Sequence, residues 1–223
     1  PGRTYYTDYE TTANVVGYLR GTEHPARYVV VSARFDSDGW ANPRAEGNDS
    51  GIATLLAIAT YLRSHPPRHT FVFAAFDGSR QGQAGADYFL DQPPVPRDHI
   101  GVNLNVDIVD SARGDMLVVA GAYHTPALAP LVRTAALSSP IPVHLGHDRP
   151  PWKAGAVADW SRVSGHAAFH EKGIPFLYAT VAGRDAAGAD PQFDPNCCVD
   201  AANFLLALAL GLDTGFDTLV QQK

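Results

Sequence analysis

Three apolar runs of this 223-residue chain end in polar clusters whose side chains could do chemistry. Val29 to Ala33 runs into Arg34-Phe35-Asp36-Ser37, Phe71 to Phe76 into Asp77-Gly78-Ser79-Arg80, and Asn103 to Val106 into Asp107-Ile108-Val109. Carboxylates at such places can ligate a metal or move a proton. Arginine can do neither, because guanidinium stays protonated and has no lone pair to offer. The clusters therefore mix groups that attract a cation, Asp77 and Asp107, with groups that repel one, Arg34 and Arg80. Asp107 follows an apolar strand, and a buried unpaired carboxylate is costly, so a partner is expected for it. Ser79 is not part of a G-x-S-x-G elbow, which disfavours a serine hydrolase.

Other candidates are scattered. His166 and His170 are spaced i, i+4 with Glu171 beside them. One helical face with that spacing can hold zinc, but the order is not H-E-x-x-H, and His170 reads as part of a solvated face. His144, His147 and Asp148 share a long Pro- and Gly-rich stretch with Trp152 and Trp160. Chance explains that grouping best, with a substitute metal site or an aromatic wall as the alternative. Asp49 can cap a helix starting near Ser50 or can belong to the site. Asn48-Asp49-Ser50 is a glycosylation sequon whose place argues against its use. The adjacent Cys197 and Cys198 lack the C-x-x-C spacing of a metal knuckle, and they read as two thiols beside a helix start rather than a strained vicinal disulfide.

The elements that must position these groups alternate. An edge strand is expected over residues 14–20, then buried strands over 27–33, 69–76, 100–109, 116–120 and 174–180. Helices are expected over 50–64, 82–90, 125–137 (with Pro126 just inside its start) and 164–172, and a final one is expected to be capped by Asp200. Residues 36–48, 138–163 and 183–198 read as loops. Strands alternating with helices predict a mostly parallel sheet covered on both faces. Ligands of such sheets bind at the carboxyl ends of the strands, where residues 34–36, 77–80 and 107–110 meet.

Composition sets bounds. A 45% apolar and 18% charged chain of this length fits one globular α/β domain over residues 1–223. A net charge of −6 leaves no basic stripe for nucleic acid. No run of about 18 apolar residues predicts a membrane span. No signal peptide is visible, and Pro1, which is not an initiator, reads as the start of a trimmed fragment.

Five segments in order carry a resemblance: Ser32 to Ser37, Glu46 to Ala53, Phe71 to Gly85, Asn103 to Val109 and Ser164 to Pro175. Over roughly residues 14–212 the chain resembles metallopeptidase family 28, the zinc aminopeptidases related to glutaminyl cyclases and the transferrin receptor ectodomain. The resemblance implies a three-layer α/β/α sandwich with a mixed, mostly parallel sheet of about eight strands. It implies a His zinc ligand at position 34, a bridging Asp49, a Glu general base at 79, a Glu ligand at 80, and Asp107 and His166 as further ligands. Asp49, Asp107 and His166 match that pattern, while Arg34, Ser79 and Arg80 depart from it. Each zinc would keep two protein ligands where a catalytic zinc normally has three. Serine cannot act as the missing base near neutral pH. Arg34 and Arg80 are expected instead to pair with Asp49 and Asp107.

The expected function is thus a domain of this family that has lost zinc-dependent aminopeptidase activity and binds a peptide-like ligand or a protein partner, or serves a structural role. No cofactor is expected unless the site still works, in which case it is zinc. The alternative is an active zinc exopeptidase or amidohydrolase drawing substitute ligands from His144, His147, Asp148, His170, Asp36 or Asp77. A further reading makes Arg34 and Arg80 donors in an anion pocket. The family's habits imply an extracytoplasmic location, periplasmic or secreted.

Overall fold

The computed structural model describes residues 11–36, 47–79, 82–109, 116–154, 157–181 and 194–220. Its centre is a seven-stranded sheet in the order β1-β3-β2-β4-β7-β5-β6. The strands are β1 (Val15–Leu19), β2 (His24–Arg34), β3 (His69–Phe76), β4 (Ile100–Val106), β5 (Leu117–Ala120), β6 (Val143–Leu145) and β7 (Phe176–Val181). β3, β2, β4 and β7 run parallel. β1 lies antiparallel on β3, and the parallel pair β5–β6 lies antiparallel to β7. The inner strands are buried on both faces, as their near-continuous apolar composition requires. β1, at the edge, leaves Val15 and Tyr18 exposed.

Alternation along the strands divides the core in two. Val29, Val31 and Ala33 face one side, where α1 (Asp49–Ser64), α3 (Leu128–Ala136) and α6 (Pro195–Thr214) pack with the short α7 (Phe216–Val220). Val30, Val72 and Ala74 face the other side, against α2 (Ala84–Asp91) and α5 (His166–Glu171). Phe76, Phe89 and Phe169 meet there with ring centroids 5.5–6.3 Å apart. The result is a three-layer α/β/α sandwich. α6 is long and apolar enough to cross a membrane by length and composition alone. Here Ala201, Phe204, Leu205, Leu208 and Leu212 repeat at helical spacing and are buried against the sheet side that also carries α1 and α3.

Several elements differ from the sequence expectation. The described residues hold seven strands, not eight. The third buried strand ends at Val106, short of the expected Val109, although the Asp107 N–H still donates to the Ala179 carbonyl at 2.9 Å. The helix expected from Thr125 starts at Leu128, Thr125 and Pro126 forming a turn before it. Residues 138–163 are not all loop: they contain β6 and a single turn, α4 (Pro151–Ala154). Asp200 is inside α6 and not its cap. Asp194 holds that place, its Oδ1 accepting from the Asn196 N–H at 2.8 Å, with Pro195 at the first helical position. Cys197 and Cys198 fall in the first turn of α6, Cys197 buried and Cys198 half-buried.

Asp213 near the end of α6 fastens the helix to β3. Its carboxylate accepts from the backbone N–H groups of Arg68 and His69 at 2.9 and 2.8 Å and contacts His69 Nδ1 at 2.9 Å. The His69 ring is stacked between His24 and Phe216, with centroids 4.8 and 4.3 Å away. Asp213→Ala would strand two buried backbone donors and an imidazole at once. The expected loss is about 3 kcal/mol, read as a lower urea midpoint with an unchanged slope.

Candidate functional site

Because β2, β3 and β4 run parallel, Arg34, Phe76 and Val106 end at one edge of the sheet, where α1 begins. The joint is made by Asn48, which is 1% exposed. Its Nδ2 donates to the Arg34 carbonyl at 3.2 Å and the Val106 carbonyl at 2.9 Å, tying the ends of β2 and β4 together. Ser50 Oγ accepts from the Val109 N–H at 3.0 Å. A Cβ at position 51 would come within 2.2 Å of Asn48 Oδ1, so only glycine lets the first turn close over this amide.

Asp107 is 9% exposed. Its Oδ1 accepts from its neighbour Ile108 N–H at 3.0 Å and faces Arg34 Nε at 3.4 Å, while Oδ2 accepts from the Tyr178 hydroxyl at 3.1 Å. Arg34 Nη1 also reaches the Asp36 carbonyl at 3.5 Å. Burial, and then the Asp107 charge, push the Tyr178 hydroxyl well above its usual pKa, so it stays a donor. Beside this pair, Asp36 Oδ2 accepts from the N–H and Oγ of Ser79 at 2.7 and 2.8 Å, bridging the ends of β2 and β3. Asp77 faces the start of the chain: Oδ2 accepts from Ala13 N–H at 3.0 Å and Oδ1 from Gly78 N–H at 2.8 Å.

His166 is fully buried at the start of α5. Its ring stacks on Phe176 and Tyr178 with centroids 4.9 and 4.4 Å away, and Nε2 lies 2.8 Å from the Trp160 carbonyl. That contact assigns the proton to Nε2. Burial lowers its pKa to about 4. His170 is half-buried against His124 and Phe176, with ring centroids 4.4 and 5.0 Å away, which corrects the solvated face expected for it. Burial, followed by His124, lowers its pKa too. His147 stacks on Trp160 at 3.9 Å, and Asp148 Oδ2 accepts from the backbone N–H groups of Gly121 and Tyr123, each at 2.8 Å.

The structure thus brings Arg34, Asp107 and, through Tyr178, His166 into one connected group, with Asp36 and Ser79 beside it. Asp49 is the first residue of α1 and is exposed; Asn48 precedes the helix, so the cap expected of Asp49 is not made. Arg80 lies outside the described residues. Asn48 and Tyr178 were missed as site residues, and Trp160 was seen only as part of a possible aromatic wall. Tyr178 carried a readable signal, since a tyrosine in an apolar strand needs a partner for its hydroxyl. Asn48 acts through a backbone contact 58 residues away that leaves no spacing in the sequence.

The model of peptidase family M28 matches residues 14–197. The chain belongs to peptidase family M28. A probable zinc metalloprotease of Leptosphaeria maculans is 34% identical over 110 residues, covering 46% of this chain and 26% of that protein. A glutamate carboxypeptidase 2 homolog of Caenorhabditis briggsae is 32% identical over 103 residues, covering 43% of this chain and 13% of that protein. The matched region spans 26% and 13% of these relatives' lengths. Among solved structures, the Bacillus subtilis zinc aminopeptidase BSAP superposes with a TM-score of 0.69 at 21% identity, over 88% of this chain and 49% of that one. Glutaminyl cyclase of Bacteroides thetaiotaomicron gives 0.64 at 14% identity, over 88% and 76%.

Arg34, Asp107 and His166, which the sequence resemblance marks as ligand positions, do not fit a pair of zinc ions as they are arranged. Arg34 directs a protonated nitrogen at Asp107, and both oxygens of Asp107 already accept hydrogen bonds. His166 Nε2 faces a carbonyl, and its ring is held between two aromatic rings. Among the described residues, no group of three or more His, Cys, Asp or Glu side chains could hold a metal ion.

His166 also makes stability depend on pH. Its folded pKa of about 4 lies below the 6.5 of an exposed imidazole, so the unfolded chain binds the extra proton between those values. Stability should therefore fall as pH drops from 6.5 towards 4, by ~3 kcal/mol over the whole window. Urea unfolding at pH 7.5, 6, 5 and 4.5 reads this, and the His166→Phe variant should give a flatter profile over the same range.

Proposed function

We propose that this M28 domain has exchanged zinc-dependent aminopeptidase chemistry for a binding or structural role, with a peptide-like ligand or a protein as partner. The observation that carries the reading is the Arg34–Asp107 contact at 3.4 Å. A guanidinium stands where the family resemblance places a histidine ligand, and it offsets the carboxylate that a metal would otherwise neutralise. The position of the general base is a serine whose hydroxyl donates to Asp36, so it has no basic group to activate water. The pairing also removes the cost of leaving Asp107 charged and alone in a nearly buried place.

A second reading is an active zinc exopeptidase or amidohydrolase with non-standard ligands. The relatives named as zinc metalloproteases favour it. The substitutes in reach of the sequence have other duties: Asp36 holds Ser79, Asp77 and Asp148 hold backbone N–H groups, and His147 is stacked on Trp160.

Zinc stoichiometry separates the two. After loading with zinc and desalting, elemental analysis should find less than about a tenth of a zinc per chain, because the guanidinium of Arg34 beside Asp107 repels the ion. One or two zincs per chain, lost in the Asp107→Ala variant, would overturn the proposal and support the peptidase.

A further inference from the structure

β5 and β6 form a parallel pair inverted against the parallel strands β3, β2, β4 and β7: Ala120 is level with Tyr178, and Leu117 with Val181. Their carboxyl ends therefore open at the edge opposite Arg34 and Asp107. Crevices form where parallel strands end, and here one of about 430 Å³ lies between β6, α3, α4 and the turn after β5. Its charged lining is three cations and one carboxylate: Arg133, Arg149, Lys153 and Asp148. In a chain with a net charge of −6 this concentration of positive charge is local and uncommon.

The carboxylate offsets only one of the three cations and is itself fixed in place. Asp148 is 3% exposed, and its Oδ2 is engaged by the Gly121 and Tyr123 N–H groups, so it acts as a buried post for the turn. That post places the Tyr123 ring. Lys153 Nζ donates to its hydroxyl at 3.0 Å, and the Arg149 guanidinium carbon lies 5.7 Å from its centroid. Two long, flexible cations are thus held by one tyrosine, which reduces the entropy lost when they grip a ligand. The opposite wall has His147 in a left-handed backbone conformation, φ 59°, held by its stack on Trp160 and by its carbonyl, which accepts from Trp160 N–H at 2.6 Å. A non-glycine residue in that region is strained, and such strain persists where the surroundings impose it. His147 Nδ1 is buried and without a hydrogen-bond partner, and His144 lines the same wall.

We infer that this crevice is an anion-binding site for a small organic dianion, a phosphate monoester or a dicarboxylate, gripped by Arg149, Lys153 and Arg133. Three cations against one engaged carboxylate match two negative charges, and the volume admits a small molecule but not a folded partner. Arginine presents paired N–H donors to either oxyanion, and lysine a point charge. The site rests on none of the residues at the M28 positions, so it stands or falls independently of the proposed loss of zinc chemistry.

Calorimetric titration of the whole chain at low ionic strength, where surface charges are least screened, tests it. The probes are inorganic phosphate and succinate, with sodium chloride at matched ionic strength as the control. Saturable binding of phosphate assigns the phosphate class, and saturable binding of succinate alone assigns the dicarboxylate class. Arg149→Gln and Lys153→Gln, both at exposed positions, should each weaken binding about tenfold, the loss of one charge-assisted hydrogen bond. Arg162→Gln, whose guanidinium pairs with Glu171 elsewhere, should bind as the parent does. No saturable heat for either probe up to about 10 mM, a response equal to that of chloride, or unchanged affinity in both pocket variants would overturn the inference.

Discussion

The site is organised by one constraint: a carboxylate, Asp107, stands at the end of the central strand with 9% of its surface in water. Placed there, an unpaired charge would cost several kcal/mol. The structure meets the cost from three directions. The chain's own next N–H reaches Oδ1, the hydroxyl of Tyr178 comes from β7, and the guanidinium of Arg34 comes from β2. Those two strands flank β4 in the sheet. The carboxylate therefore locks the register of three adjacent strands at the edge where ligands of α/β sheets bind. The histidine at the same edge is then placed indirectly, because the Tyr178 ring that serves Asp107 is one of the two on which His166 stacks.

How much of this could be read from residues alone depends on the range of the interaction. The inner strands were legible, since apolar β-branched and aromatic runs such as Phe71 to Phe76 suit only a strand buried on both faces. The need of Asp107 for a partner was legible for the same reason: its neighbours are apolar. Which partner it takes was half legible. Arg34 follows from matched strand ends, whereas Tyr178 is 71 residues away and is found only when β7 is laid beside β4. Asp49 illustrates the opposite failure. Local capping preference and the family pattern both drew attention to it, yet the neighbouring Asn48 is the residue folded inward, because two strand-end carbonyls needed a donor and an aspartate has none to give. β6 was lost in a Pro-rich stretch because three residues paired to a single neighbour, β5, leave no periodicity to detect.

The inversion of β5 and β6 gives the sheet two usable ends. At one, the parallel strands β2, β3 and β4 converge on a group whose charges are already matched. At the other, the parallel pair β5–β6 ends beside three cations, Arg133, Arg149 and Lys153, and one buried carboxylate, Asp148, which holds the turn after β5. Trp160 and Tyr178 lie between the two, with the His147 stack on one side and the Asp107 hydrogen bond on the other. These two rings separate the two sets of charges.

If the proposed function holds, the contacts at positions 34 and 79 also bear on how the change in chemistry could be undone. Restoring a histidine at position 34 would remove one cation and leave Asp107 held by Tyr178 and Ile108. Restoring a carboxylate at position 79 would set it against Asp36, which now accepts two hydrogen bonds from Ser79, and the like charges would repel. His166 would still present its Nε2 to the Trp160 carbonyl. The departures at positions 34 and 79 are thus each held by their own contacts rather than by one shared contact. Under the proposed function, a single reverting substitution would cost stability before it assembled a metal site, and the energetic asymmetry favours the paired, metal-independent arrangement.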